Sequence, residues 1–196
     1  MLDTEVFKLL DVDDTWIYNK YELSKRLGYK TGLKGMYESC DKYIVRPVYN
    51  LLGMSRGAYV TNDISLIPDG FFWCEYFEGI HYSIDYDYCF NPILTLIGHK
   101  KELEFTCWEK IDNTIKCPSI IKEWILTMKY IPERINVEFI GDKIIEIHLR
   151  ENDEWNDIPN EVTKLYVVNN ETLIPTRAIY IENKDYKRKG FYYDFN

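Results

Sequence analysis

Between Arg134 and Arg150 the chain reads RINVEFI-GDK-IIEIHLR, two apolar-alternating runs around a glycine turn, a pattern that admits little besides a β-hairpin. With Gly141-Asp142-Lys143 as a three-residue loop, period-2 alternation sorts the flanking side chains onto two faces. Ile135, Val137 and Phe139 then pair with Leu149, Ile147 and Ile145 on a dry face. On the other face Glu138 lies opposite Glu146, Asn136 opposite His148 and Arg134 opposite Arg150. A one-residue slip would mix the faces, so burial enforces the register. Two carboxylates directly across a strand pair repel unless a cation lies between them, which gives this hairpin the form of a divalent-metal holder. A half-exposed hairpin with a charged solvent face is the plain alternative.

A chain of 196 residues fits one domain, or two small lobes sharing a cleft, and can bury a real core. Hydrophobic residues at 46% exclude a disordered chain. The net charge of -8 argues against a general nucleic-acid binder, because tracking phosphates needs clustered Lys and Arg; a local basic cleft stays open. Five cysteines, odd in number and without a C-x-x-C pair, fit reduced thiols in the cytoplasm better than a disulfide frame or a zinc site. The N-terminus, MLDTEVFKLLDVDD, is acidic where a signal peptide needs basic residues, and no apolar run has the length of a membrane span. A soluble, cytoplasmic protein without membrane contact is expected.

Asn19 can cap a helix whose Leu23 and Leu27 lie four apart, with Gly28 as its stop, so residues 19–27 read as helical. A glycine-rich turn through Gly32 and Gly35 should follow, then a strand at 43–48, a loop, and a return strand at 58–61. FFWCEYF reads as a buried strand and HYSIDYDY as an alternating one, with further strands at 92–98 and 102–111. Pro118 opens a helix to about Lys129, whose Ile121, Trp124, Ile125 and Met128 form a core stripe. Residues 151–160 form an acidic loop, and weaker strands lie near 163–168 and 177–181. Grouped strands with a few helices between them indicate α+β rather than an alternating parallel sheet.

Three segments, YIVRP with its trailing glycines, CEYFEG before an alternating strand, and NVEF…EIHLR, resemble in order and approximate spacing the ATP-grasp superfamily, over roughly residues 19–150. The resemblance implies two small α+β lobes with antiparallel sheets enclosing a nucleotide cleft, about 19–77 the smaller and about 78–196 the larger. It implies ATP and Mg2+ as cofactors. Lys20 and Arg46 would be the phosphate-binding basic residues; Arg46 before Pro47 is similar to the variant of carbamoyl-phosphate synthetase, and its planar fork suits phosphate. Gly53, Met54, Ser55, Arg56 and Gly57 would form a phosphate-covering flap. Glu75, Tyr76 and Phe77 would hold adenine, and His81 stands where the family commonly has a ribose-binding Glu. Glu138 and Glu146 match the metal carboxylates. His148 stands where Asn is expected in the E-x-N-x-R pattern, a third candidate ligand better suited to transition metals than to magnesium; Arg150 matches the pattern's Arg.

The activity so implied is ligation: a substrate carboxylate attacks the γ-phosphoryl group of ATP, and an amine or thiol captures the acyl phosphate, releasing ADP and phosphate. Arg46 and Arg150 would be catalytic, Arg150 by steadying the acyl phosphate. The substrate would be a small carboxylate or peptide. Only about eighteen residues precede Lys20, so the resemblance further implies a substrate site that is reduced, rebuilt from residues 151–196, or supplied by a partner subunit. Two alternatives remain open, a noncatalytic nucleotide-binding or protein-interaction module of the same fold and an unrelated α+β binding protein.

Overall fold

Two antiparallel sheets of unequal size carry the chain in a computed structural model, which describes residues 2–51, 55–112, 115–185 and 188–194. The smaller sheet holds β1 (Thr31–Leu33), β2 (Tyr43–Pro47), β3 (Tyr59–Thr61) and β4 (Phe71–Glu75) in the order β1-β4-β2-β3. The larger holds β5 (His81–Asp87), β6 (Pro92–Lys101), β7 (Glu104–Lys110), β8 (Arg134–Ile140), β9 (Lys143–His148), β10 (Lys164–Val168), β11 (Ile179–Asp185) and β12 (Arg188–Tyr193). Its order is β11-β12-β10-β7-β6-β5-β8-β9. The helices are α1 (Asp3–Leu9), α2 (Lys20–Arg26) and α3 (Ser119–Thr127), with a 3-10 helix at Val12–Tyr18. The class is α+β, as the grouping of strands predicts. Among the described residues, no helix is long and apolar enough to cross a membrane.

Alternation in β5 decides which face of the large sheet is dry. Ile84 and Tyr86 point into a core with Val137, Ile147, Ile121 and Ile125, each such side chain contributing about 1.5–3 kcal/mol by burial. Val6, Ile17 and Tyr18 belong to the same core, so α1 and the 3-10 helix, which the sequence reading had missed, close the sheet's apolar side. His81, Ser83 and Asp85 fall on the opposite face, where Asn136 of β8 donates to Ser83 Oγ at 2.8 Å and to Asp85 Oδ1 at 2.7 Å. The smaller sheet has a separate core of Tyr43, Val45, Ile64, Ile67 and Trp73.

The hairpin carries the largest correction of detail. The pairs Asn136↔His148, Val137↔Ile147 and Glu138↔Glu146 hold as expected, but Phe139 then pairs with Ile144 and Ile140 with Lys143. The loop shrinks to Gly141-Asp142, and Ile145 becomes the extra residue of a β-bulge. Ile144, not Ile145, enters the core. Pairing ends at His148, leaving Arg134 to Glu151 and Arg150 to Asp3.

Two glycines misled the reading for one reason, that a backbone without Cβ admits a close neighbour. Gly32 lies in β1 rather than a turn, and a Cβ there would stand 2.7 Å from the Trp73 ring. Gly190 lies in β12, which the sequence reading had missed; a Cβ there would clash with the Ile181 carbonyl oxygen.

Candidate functional site

The polar face of β5, β8 and β9 looks across a cleft of about 660 Å³ at the end of β2 and the start of α2, a volume in the range of small-molecule sites. Asn19 caps α2, its side chain accepting from the Glu22 N–H at 2.9 Å, and so Lys20 in the first turn is delivered to the cleft. Lys20 Nζ reaches Glu146 Oε1 at 2.5 Å. Arg46 projects from β2 over the Phe72 ring, 5.3 Å from its centroid, and its Nη2 donates to the Ile145 carbonyl at 3.3 Å. The bulge presents that carbonyl and turns the Ile145 side chain into the cleft. Arg46 Nε has no hydrogen-bond partner among the described residues, so the guanidinium keeps donor capacity unspent.

Nitrogen donors already meet the carboxylate pair. Glu138 Oε2 lies 3.0 Å from His81 Nε2, and Lys100 Nζ lies 2.9 Å from His81 Nδ1. His148 Nε2 stands between the two carboxylates, 3.8 Å from Glu138 Oε1 and 3.6 Å from Glu146 Oε1, while its Nδ1 donates to Asp3 Oδ2 at 2.8 Å. Burial alone would push the His148 imidazole down, but Asp3, Glu138 and Glu146 outweigh it and raise it to about 10. Burial would likewise raise Glu138, yet hydrogen bonds from His148 and His81 hold it well below the usual carboxylate range. Lys100 is lowered to about 8 by burial, which the attraction of Glu138 and Glu146 only partly offsets.

Of the residues singled out from sequence, Lys20, Arg46, Ser55, Arg56, Tyr76, Phe77, His81, Glu138, Glu146 and His148 line this one cleft. Others do not. Glu75 sits in a separate surface hollow, its carboxylate accepting from the Lys30 N–H at 3.0 Å, because alternation in β4 turns it away from Cys74, which does face the cleft. Gly57 lines an adjoining pocket. Gly53 and Met54 lie outside the described residues. Arg150 is drawn off by Asp3, with Nε at 3.0 Å from Oδ1 and Nη2 at 2.9 Å from Oδ2, and is absent from the cleft lining. The sequence reading missed Lys100, whose signal was a Lys in register near His81 on the neighbouring strand. His81 faces Gly98 there, two residues before Lys100.

Neither protein-family models nor curated protein sequences give a match. Solved structures do. A protein from Archaeoglobus fulgidus described as of the ATP-grasp superfamily superposes with a TM-score of 0.58 at 13% identity, over 95% of this chain and 67% of that one. N5-carboxyaminoimidazole synthetase from Staphylococcus aureus, complexed with ADP, gives 0.60 at 14%, over 93% and 68%. The chain has the ATP-grasp fold. L-amino acid ligase from Bacillus licheniformis gives 0.53 at 10% identity, over 85% of this chain and 56% of that one. The chain thus spans between about half and two thirds of the length of these neighbours.

An ATP-grasp fold implies magnesium, and the donor set here does not fit it. Magnesium takes near-octahedral oxygen ligands, whereas an imidazolium held by Asp3 turns an N–H donor into the space between Glu138 and Glu146. Lys20 occupies a Glu146 oxygen. No group of three or more metal-ligating side chains forms among the described residues. Glu138, Glu146 and His148, the expected ligand set, form ion pairs with one another, Lys20 and Asp3.

Proposed function

We propose that the cleft binds ATP and that the protein works as an ATP-dependent ligase in the general sense of its structural neighbours, activating a carboxylate for capture by an amine or thiol. The observation that carries this is the convergence of Arg46 and Lys100, from β2 and β6, on one cleft of nucleotide size, with Lys20 of α2 beside them on Glu146. Polyphosphate is the ligand such a set fits best. Tyr76 and Phe77, at the crossing between the sheets, would contact adenine, and Ile97 and Ile145 supply the apolar wall. Phosphoryl transfer asks the protein mainly for positioning and charge neutralisation, so it needs no nucleophilic side chain.

Calorimetry with ATP tests the binding step. Arg46→Ala should weaken ATP about tenfold or more, in keeping with loss of a charge-assisted contact, and unchanged affinity would remove Arg46 from the site. Product analysis tests the chemistry: ADP and phosphate should appear when small carboxylates or peptides are offered with amine or thiol acceptors, whereas AMP and pyrophosphate would contradict an acyl phosphate. A second reading, a nucleotide-binding module without transfer, is favoured by the Asp3–Arg150 pair, which leaves the cleft without the arginine expected to steady an acyl phosphate. Tight ATP binding with no product from any carboxylate would establish it.

A further inference from the structure

We infer that the cleft takes nucleoside triphosphate without a divalent metal, Lys20 and His148 standing beside Glu138 and Glu146 where a metal would otherwise neutralise them. The inference rests on the ATP-binding reading above. Glu138 and Glu146 face each other directly across β8 and β9, and such a pair holds together only with positive charge beside it. Here that charge is built in. Lys20 meets Glu146 from α2, His148 stands between the two carboxylates, and Lys100 backs the His81 ring that donates to Glu138.

His148 is also fixed. Asp3 accepts from its Nδ1, and Asp3 is itself buried, with Tyr18 Oη donating to it at 3.1 Å and Arg150 gripping both oxygens. A side chain tied at its far nitrogen in this way cannot swing out to admit a hydrated cation without breaking a buried charged network. Arg46 and Lys100 remain to meet phosphate oxygens, Lys100 resting on the Phe105 ring at 4.1 Å and bonded to His81 Nδ1. Free nucleoside triphosphate carries more negative charge than its magnesium complex, and Arg46 and Lys100, which pair with neither carboxylate directly, favour the former.

The probe is ATP itself, titrated into the full chain with excess EDTA and again with excess magnesium. The expected result is binding in EDTA at least as tight as in magnesium, to within about threefold. Binding seen only with magnesium would overturn the inference while leaving the nucleotide reading in place. Absence of binding under both conditions would overturn that reading and this one with it. His148→Asn places a neutral amide between the carboxylates and should make ATP binding magnesium-dependent by about tenfold or more. A folded His148→Asn protein as indifferent to magnesium as the wild type would show that His148 does not stand in for the metal. The wild-type comparison decides the question even where the variant fails to fold.

Discussion

Replacing Asp3 with alanine is expected to destabilise the protein by about 3–5 kcal/mol, the usual consequence of leaving buried charge without its partner. Asp3 is 4% exposed and holds three groups at once, the Tyr18 hydroxyl, the His148 imidazole and the Arg150 guanidinium. Those charges hold its carboxyl far below the usual range against the upward push of burial. Without it, His148 loses its nearest carboxylate and Arg150 loses both oxygens that it grips, and α1 loses its polar tie to β9. Urea unfolding measures the change. The double variant Asp3→Ala/Arg150→Met should lose less than the sum of the single variants, because the second substitution removes a charge that the first leaves unpaired. A loss below about 1 kcal/mol for Asp3→Ala would mean that water replaces the carboxylate freely and that the network is not structural.

The second large effect depends on pH and has the opposite sign. Burial pushes the Asp85 carboxyl up to about 7, although Asn136 and the Asn152 N–H both donate to it. In the unfolded chain the same group loses its proton near its ordinary value of 3.8. Between those values the folded state holds the extra proton, so this group's contribution to stability falls as pH rises from about 4 to about 7 and stays lost above. A shift of this size corresponds to about 4 kcal/mol. Asp85→Asn keeps an acceptor for both donors and cannot ionise. It should be more stable than the wild type above about pH 7 and nearly equal to it near pH 4, with most of the difference developing between. The urea midpoints of the two proteins across that range give the comparison, and a constant offset would show that Asp85 is ionised throughout.

Much of the site was legible because it sits on regular elements. Alternation in INVEFI and IIEIHL placed Glu138 opposite Glu146 and Asn136 opposite His148, as the pairing has it. Asn19 marked the helix that carries Lys20, and the Arg-Pro end of a strand marked Arg46. The bulge at Ile145 was not legible, since the adjacent Ile144 and Ile145 satisfy either a two-residue or a three-residue loop by hydrophobicity alone. Packing of Ile144 in the core selects between them.

What the sequence determined by itself was local and periodic: α+β class, the hairpin and its facing carboxylates, and the cations at the starts and ends of short elements. Only the tertiary structure decided what neutralises those carboxylates. Asp3 lies 145 residues from His148, and Lys100 comes from a strand whose own pattern says nothing of His81. Charge acts through space over a few ångströms, so the partners of a buried ionic group are chosen by which chain segments the core brings together. In this protein α1 docks on the apolar side of the large sheet through Val6, and that packing brings the Asp3 carboxylate to His148 at the end of the hairpin.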